Sequence, residues 1–237
     1  LNRENRLMIS DLSKRLGVSA VTVRKDLAAL ERKGLLLRQH GYAVRVSHND
    51  IGYRMTFDYE VKRRIAKKAA GTVASGEAVM IESGSTCAML AEELVKSSRD
   101  ITIITNSAFI AGYVRSFPGA RIVLLGGAYD PDAQVTSGPL VGKCAAEFFV
   151  ERFFIGTDGY DPDQGFTNAD MLRAEAVRAM ASSAKQRIIL TDSSKFNKRG
   201  VVQLMPAHMV TGVITDDVPD NCREALLRDG VAITIAP

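Results

Sequence analysis

Gly84, Ser85 and Thr86 form the segment of the sequence best suited to binding an anion. They follow the apolar run AVMIE and open an amphipathic stretch that continues as CAMLAEEL. A helix that starts at a glycine and two hydroxylic residues presents backbone N–H groups, two hydroxyls and its positive dipole end to a phosphate. A Ser/Thr helix cap without any ligand has the same residue pattern, so both interpretations stay open at this point.

Four further polar segments follow apolar runs in the same way. They are Thr105-Asn106-Ser107, Gly126-Gly127, Gly156-Thr157-Asp158-Gly159 and Asp192-Ser193-Ser194-Lys195. If the runs are parallel strands, these segments converge at one edge of a sheet and line one pocket. Lys195 would supply the counter-charge for an anionic ligand there, although a lysine considered alone is more often an ordinary surface residue.

Other kinds of site find little support in the sequence. No G-x-G-x-x-G segment follows an apolar run, so a dinucleotide site is not indicated. The aspartates of the two DPD segments, 130–132 and 161–163, are typical of turns that cap their own backbone. The histidines and cysteines lack metal-ligand or disulfide-framework spacing: His40, His48, His208, Cys87, Cys144 and Cys222. We therefore expect no cofactor and no metal.

The elements that must position the polar segments are short apolar runs alternating with helical stretches. The runs are AVMIE, ITIIT, RIVLLG, RFFIGT, RIILTD, MVTGVIT and VAITI. Alternation of this kind predicts βαβ units and an α/β fold, in which helices cover both faces of a Rossmann-like parallel sheet.

The N-terminal stretch has a different pattern, which predicts two helices joined by a very short turn. Ile9, Leu12 and Leu16 have helical spacing behind a candidate cap at Ser10, and Gly17 ends that helix. Ser19 caps a second helix from Ala20 to Lys33, whose buried stripe is Val23, Leu27 and Leu30. This is the arrangement of a helix-turn-helix, which places its second helix in the major groove of DNA.

The outer face of the second helix carries small and basic side chains. Arg24 is the best candidate for a bidentate guanine contact, and the other basic residues are suited to phosphates. After Gly34, the run LLLRQHGYAVRV predicts two strands around a His40-Gly41 turn, which we interpret as a β-wing. An ordinary helical hairpin with solvated charges is the alternative. The predicted DNA-binding residues are Ser19, Val21, Thr22, Arg24, Lys25, Arg32, Lys33, Arg38 and His40.

Charge and composition agree with a basic module attached to a near-neutral body. The 237 residues carry a net charge of +4, of which residues 1–45 contribute +6 and the rest −2. The balance of 46% hydrophobic and 24% charged residues is typical of a globular protein and excludes disorder. No apolar segment suits a membrane span or a signal peptide, so a cytoplasmic location is expected. Because the chain begins with Leu1 rather than Met, we expect further residues to precede it.

Three regions follow from these patterns. Residues 1–46 are predicted to form the winged helix-turn-helix domain, and 47–60 a polar linker. Residues 61–237 form the parallel-sheet domain, which begins with the basic helix VKRRIAKKAAGTVASGE. That helix is more typical of a solvated surface element than of a second DNA contact.

Taken together, these motifs resemble the DeoR family of bacterial regulators of sugar metabolism. The resemblance covers nearly the whole chain, through VSAVTVRKDLAALERKGLLLRQHGYAV, ESGSTCAML, TNS, LLGG, GTDGYD, GFT and TDSSKF in the family's order. It implies a C-terminal domain similar to ribose-5-phosphate isomerase that senses a phosphorylated sugar. It also implies that Gly84, Ser85 and Thr86 hold the phosphate and that Lys195 completes the site. Glu82 stands where the family commonly has Asp, and Tyr42 replaces the usual second glycine of the wing turn.

The likeness to the isomerase raises a competing function, sugar-phosphate isomerisation. Asp158 and Asp161 look like the paired aspartates of the isomerase, and Glu175 like a further acidic member of its site. The segment PDQGFTNADML, however, contains no lysine where the isomerase has a lysine- and glycine-rich loop. A binding fold that kept the pocket and lost the chemistry fits better. A ligand-free architectural DNA-binding protein would leave the strand-end motifs unexplained.

We therefore expect a transcriptional regulator, not an enzyme, that represses a carbohydrate-utilisation operon under control of a phosphorylated sugar. Its partners are operator DNA, the effector and further copies of itself, since paired half-sites are read by a symmetric assembly. Asn106, Asp158 and Thr167 are candidates to read sugar hydroxyls. The full predicted effector site is Glu82, Gly84, Ser85, Thr86, Thr105, Asn106, Ser107, Gly126, Gly127, Gly156, Asp158, Gly159, Thr167, Glu175 and Lys195.

Overall fold

A computed structural model describes residue 4 and residues 6–32, 36–44, 51–97 and 100–237. The chain divides into two compact units, Leu1–Asp58 and Tyr59–Pro237. Within the described residues, no helix is both long enough and apolar enough to cross a bilayer. Each unit is considered by itself below.

The first unit is a small three-stranded sheet with two principal helices. Its elements are β1 (Arg6–Met8), α1 (Ile9–Leu16), α2 (Ala20–Arg32), β2 (Leu37–Gln39), β3 (Tyr42–Val44) and α3 (Ile51–Met55). The strands pair antiparallel in the order β1-β3-β2. The chain therefore contains the predicted helix-turn-helix and wing, with one additional strand in front of them.

Local residue chemistry explains where α1 and α2 begin and end. Gly17 terminates α1 in the left-handed conformation at φ 65°, which glycine adopts without steric strain. Ser19 accepts a hydrogen bond from the backbone N–H of Thr22 at 3.1 Å and so caps α2. Ser10, in contrast, is not a cap, because α1 already begins at Ile9 after the extended residue Met8.

Ile9, Val23, Leu27, Leu36 and Ala43 form the buried core of this module. Two residues of the predicted apolar stripes lie outside it, because Leu16 and Leu30 are exposed. The core is correspondingly small, and it holds α1 and α2 against the sheet.

The wing turn has the geometry of a tight two-residue hairpin. His40 and Gly41 both have positive φ, at 47° and 85°. Positive φ at both central positions is the mark of a type I′ turn, whose twist matches that of the flanking strands. Tyr42 follows in β3, and its ring lies under the guanidinium of Arg6 at 5.1 Å, so the residue that replaces a glycine here makes a cation–π contact.

The segment expected to be a linker contains a short helix. Within 47–60, α3 has Ile51, Tyr53 and Met55 almost completely buried, and the Tyr53 and Phe57 rings pack edge to face. The apolar residues of this segment are too few to give a periodic pattern, which is why the sequence indicated only a connection.

The second unit is the larger α/β domain. Its first half contains α4 (Tyr59–Ala70), β4 (Ala78–Ile81), α5 (Ser85–Lys96), β5 (Ile101–Thr105), α6 (Ala108–Val114), β6 (Ala120–Leu124), β7 (Ala128–Asp130) and β8 (Val135–Ser137). Its second half contains α7 (Pro139–Ala145), β9 (Val150–Gly156), β10 (Gly159–Asp161), β11 (Gly165–Asn168), α8 (Met171–Ala181), β12 (Ala184–Leu190), β13 (Val202–Met205), β14 (Gly212–Thr215), α9 (Asp220–Arg228) and β15 (Ala232–Ile235).

Seven of these strands form the predicted parallel sheet, in the order β15-β14-β12-β9-β4-β5-β6. From β4 the chain proceeds to one side through β5 and β6, and then to the other side through β9, β12, β14 and β15. The direction reverses between β4 and β9, which is the topological switch point of the sheet. Ligands of open parallel sheets bind at the carboxyl ends of the strands at such a point.

Apolar side chains alternate between the two faces of the sheet and are covered by helices. Met80, Phe153 and Ile189 belong to one buried cluster, to which α8 adds Val177 and α9 adds Leu226. On β4, the neighbours of Met80 are also fully buried, and α5 contacts β4, β5 and β9. The strands that carry the polar segments are thus packed between helices.

Two small antiparallel sheets, absent from the predicted elements, complete the domain. One has the order β10-β11-β13, and the other is the β7-β8 hairpin. Gly159 shows how closely the first is packed, because a Cβ there would lie 2.4 Å from the backbone oxygen of Lys198. These sheets fix the loops that follow β6 and β9.

Candidate functional site

The candidate DNA-binding surface is the exposed face of α2. Val21 exposes 72% of its surface, and Arg24 and Lys25 are exposed beside it. Ser19 and Thr22 lie at the helix start with their hydroxyl oxygens 2.9 Å apart. The N-terminal half of α2 therefore presents two cations and small side chains without competing buried contacts, as insertion into a groove requires.

The remaining predicted DNA-binding residues differ in their surroundings. Arg38 donates from Nε to the Glu31 carboxylate at 2.6 Å and from its backbone N–H at 2.9 Å, and these bonds hold the pKa of Glu31 below its usual range. Arg38 thus ties β2 to α2. His40 is exposed at the tip of the wing. Lys33 and the side chain of Arg32 lie outside the described residues.

The second candidate site is built around Glu82, at the carboxyl end of β4. Its side chain is 1% exposed. One carboxylate oxygen accepts from the backbone N–H of Gly156 at 3.1 Å, and the other accepts from the Ser83 hydroxyl at 2.9 Å. Glu82 therefore joins the ends of β4 and β9 across the switch point, and both of its oxygens have partners within the protein.

Gly84 and Gly156 face each other beside this carboxylate. A Cβ on either residue would lie 3.0 Å from the nearer Glu82 oxygen and 3.3 Å from the Cα of the other glycine. Neither position has room for a side chain without a shift. The glycines thus bring the start of α5 and the end of β9 into close approach.

The start of α5 distinguishes between the two interpretations of the Gly-Ser-Thr segment. Gly84 is the N-cap residue and no side chain caps the helix, so Ser85 and Thr86 lie inside the first turn. An ordinary Ser/Thr cap is therefore not what this segment forms. The first turn instead presents N–H groups that no side chain caps, together with the Thr86 hydroxyl, at the switch point of the sheet.

The segment after β5 is adjacent to this group. Thr105 pairs with Ile81, so Asn106 lies level with Glu82 on the next strand. Asn106 is 1% exposed; its Nδ2 donates to the Thr136 carbonyl at 3.1 Å, while its buried Oδ1 has no partner. Ser107 caps α6 by accepting from Ile110, and Thr105 accepts from Ser107. Within this segment, the Oδ1 of Asn106 is therefore a buried acceptor that is available to a ligand.

Several predicted residues have packing or hydrogen-bonding roles in the loops. A Cβ on Gly127 would lie 2.6 Å from the Ser137 carbonyl oxygen, whereas Gly126 has room. Thr167 accepts from the N–H of Gly200 at 2.8 Å, and Asp158 accepts from that of Ala169 at 3.0 Å. Gly159 is closely packed, as described above. The structure shows no bond from these residues to the group around Glu82.

Within the described part of the chain, the structure shows no hydrogen-bond partner shared among Asp158, Asp161 and Glu175, the acidic residues considered for isomerase chemistry. Asp161 accepts from Arg199 at 2.8 Å and from two backbone N–H groups of its own turn, which hold its pKa below the usual range. Glu175 is exposed on α8. At about 100° per residue, it lies about 200° around the helix from Arg173, the residue of α8 that reaches Glu82.

Arg173 and Lys195 are the two cations associated with the strand ends. Arg173, which sequence reasoning missed, places Nη2 3.5 Å from a Glu82 oxygen. Lys195 ends a short 3-10 turn after β12 and is partly exposed; within the described chain its amino group makes no ion pair. Across those same described residues, no cluster of three His, Cys, Asp or Glu side chains could hold a metal.

A winged helix-turn-helix joined to a separate parallel-sheet domain is the organisation of a DNA-binding transcriptional regulator with a sensor domain. The chain belongs to the DeoR family. Residues 1–49 match the DeoR-like helix-turn-helix domain, and residues 58–217 match the DeoR C terminal sensor domain. The family consists of transcriptional regulators rather than enzymes, which decides against the isomerase alternative.

Individual relatives are similar along nearly their whole length. The transcriptional repressor CsqR of Escherichia coli K12 is 26% identical over 97% of this chain and 88% of its own. The L-fucose operon activator of Haemophilus influenzae is 26% identical over 94% and 91%. Among solved structures, ribose 5 phosphate isomerase A from Neisseria gonorrhoeae shares 20% identity, covers 61% of this chain and 56% of its own, and has a TM-score of 0.45. A structural similarity at that level does not establish shared chemistry.

Proposed function

We propose that the protein is a repressor of a carbohydrate-utilisation operon whose operator affinity is controlled by a phosphorylated sugar. The observation that carries the proposal is the start of α5, where no side chain caps the first turn. That turn opens at the switch point, which is where a dianion gains most from N–H groups and the helix dipole. The relatives include an operon activator as well as a repressor, so the sign of regulation is part of the proposal.

In this proposal, the first unit binds DNA and the second unit binds the effector. Residues 1–46 bind DNA through α2 and the wing, residues 47–60 connect, and residues 61–237 bind the effector. Thr86 contacts the phosphate, Lys195 neutralises it, and Asn106 offers its free acceptor to a sugar hydroxyl. Coupling requires the effector to bind one arrangement of the two units better than the other. Because its target is genomic DNA, we place the protein in the cytoplasm.

We expect a thermal-shift screen of sugar phosphates to identify a ligand that raises the melting temperature, since binding to the native state alone stabilises it. Adding that ligand should then change operator affinity by about 5- to 150-fold, the range of typical allosteric coupling. Fluorescence anisotropy of a labelled operator duplex measures this change. If the phosphorylated and unphosphorylated forms of the best sugar bind equally well in calorimetry, the phosphate role of the α5 start is wrong.

Two variants locate the response in the proposed site. Thr86→Val removes one hydroxyl at nearly constant volume, and Lys195→Ala removes one charge; each should abolish the effector response and leave ligand-free operator binding intact. Lys185→Ala is the matched control, because Lys185 is an exposed lysine at the opposite end of β12 that pairs with Glu151. An equal loss of response in the Lys185 variant would mean that the effect is not site-specific.

We also propose that the regulator acts as a homo-oligomer, because one small winged module makes few contacts and two half-sites supply the rest. The sensor domain has apolar side chains available for self-association, among them Phe149, which exposes 92% of its surface. Sedimentation velocity at micromolar concentration should show a species larger than the monomer, with and without DNA. A monomer under both conditions would contradict this expectation.

A further inference from the structure

Arg173 reaches the candidate effector site from the first turn of α8. Asp170 caps this helix by accepting from the backbone N–H of Arg173 at 2.8 Å, which fixes where the side chain begins. The guanidinium then extends to Glu82, and the side chain is only 15% exposed. A cation is thus held inside the protein next to the residue that joins β4 and β9.

The guanidinium is incompletely satisfied. Its Nε is buried and has no hydrogen-bond partner. Buried donors of charged groups almost always have partners, because leaving one unpaired is destabilising. The Asn106 Oδ1, an acceptor, is the second unpaired buried atom near Glu82. One free donor, on a side chain that contacts Glu82, and one free acceptor, on the residue level with Glu82 in the next strand, therefore belong to residues around the carboxyl end of β4. A polar ligand bound there would give both atoms a partner.

Glu82 does not compete strongly with a ligand for Arg173. Its oxygens already accept from Gly156 and Ser83, and its contact with Nη2 is long for a charge-assisted hydrogen bond, at 3.5 Å. The carboxylate orients the guanidinium without using all of its five N–H donors. Those that remain form the planar fork that matches phosphate oxygens.

We infer that Arg173 contacts the bound phosphate group directly and is a specificity-determining residue of the effector site. This inference rests on the proposed function and assigns it a cation that neither the motifs nor the family match designates. The ligand class is a phosphate monoester. Some of its oxygens accept hydrogen bonds from the Nε–H and a neighbouring N–H of Arg173, and its other oxygens accept from the N–H groups at the start of α5. Glu82 acts as the positioning residue for Arg173.

The test titrates the 237-residue chain with inorganic phosphate, ribose 5-phosphate, fructose 6-phosphate and glucose 6-phosphate at constant ionic strength. Arg173→Gln should raise the dissociation constant of the tightest of these probes by about tenfold or more, the loss expected for a charge-assisted contact. Arg173→Lys should retain part of the affinity, because it keeps the charge and loses the fork. Arg178→Gln is the control: Arg178 lies on the same helix, is exposed, and bonds the Gln203 carbonyl.

The outcomes separate this inference from the proposed function. If Thr86→Val weakens phosphate binding and Arg173→Gln does not, Arg173 is not a contact and the site itself stands. If the wild-type chain binds none of the four probes, both proposals fail. An equal loss in the Arg178 and Arg173 variants would show a general charge effect and overturn the assignment of Arg173.

Removing Arg173 alone leaves the buried Glu82 carboxylate without its cation, which threatens folding. The double variant Glu82→Gln/Arg173→Gln removes both charges and keeps similar volumes. We expect its melting temperature to lie above that of Arg173→Gln, with phosphate affinity still reduced about tenfold or more. Wild-type affinity in the folded double variant would contradict a direct contact.

Discussion

Arg24→Ala is expected to weaken binding to the preferred operator by roughly 1–3 kcal/mol and to relax specificity at one base position. Arg24 is exposed on the N-terminal half of α2, where the structure provides it with no ion pair in the described chain. A bidentate contact to guanine needs such a free guanidinium. The preferred duplex is selected from a random library, and affinities are compared at one salt concentration.

Lys25→Ala is the matched control for this prediction. Lys25 is exposed one residue further along α2 and is assigned to the DNA backbone. Its loss should weaken selected and random duplexes about equally and lower the salt dependence of binding by about one phosphate contact. Parallel losses on both duplexes for both variants would contradict the assignment of Arg24 to base readout.

Gly159→Ala should destabilise the sensor domain by about 1–3 kcal/mol or more. The new Cβ would lie 2.4 Å from the Lys198 carbonyl oxygen, 2.8 Å from its carbon and 2.9 Å from the Thr167 hydroxyl. Two of these atoms belong to the backbone, so no side-chain rotation relieves the overlap. Urea unfolding should show a lower midpoint with an unchanged slope.

Gly112→Ala is the control for the same substitution elsewhere in the domain. Gly112 is exposed in α6, and a Cβ there would meet no atom within 4 Å. Alanine in an exposed helix interior is more stable than glycine by about 0.5–1 kcal/mol. A destabilisation of equal size at both positions would mean that close packing at Gly159 is not the cause.

Sequence periodicity predicted the winged module well where residues act locally. Gly17 ends α1 through its own conformational freedom, and Ser19 caps α2 through a bond three residues away. The strand β1 was missed because its partner is β3, more than thirty residues later, and three residues carry no readable alternation. The burial of α3 was also missed, because it depends on tertiary contacts that a five-residue helix does not reveal in its own sequence.

The parallel sheet was predicted strand by strand because each of its strands comes from a run of mostly apolar residues, including the edge strand β15, which is itself only partly buried. The strands of the small sheets, such as β10 and β11, are three or four residues long and contain glycine together with aspartate or asparagine. Glycine, aspartate and asparagine are typical of turns, so these segments become strands only through pairing in the tertiary fold. The sequence therefore predicts the layer that supports the site more completely than the loops that surround it.

The effector site shows the limit of motif reasoning most clearly. The motif pointed to Glu175 as the acidic residue of α8, but two residues along a helix is more than half a turn. The residue that faces Glu82 is Arg173, so a cation occupies the side of α8 where an acid was expected. A helical wheel anchored on the buried Ala176, Val177 and Met180 places Arg173 on the inner face of α8, three, four and seven residues before them. It does not identify the partner of Arg173, because Glu82 lies on β4 and meets α8 only in the tertiary fold.

The position of β4 at the centre of the sheet has a consequence for biosynthesis. It is the first of the seven strands to leave the ribosome, yet one of its two neighbours, β9, begins at Val150, about 70 residues later. At about 5–20 residues per second, that edge of β4 stays unpaired for roughly 4–14 s in each nascent chain. Meanwhile the winged module, made of contacts within the first 58 residues, has been completed. A translation product that stops before Val150 would therefore carry a finished DNA-binding head on a sheet with an open apolar edge, the kind of chain that chaperones and proteases must remove.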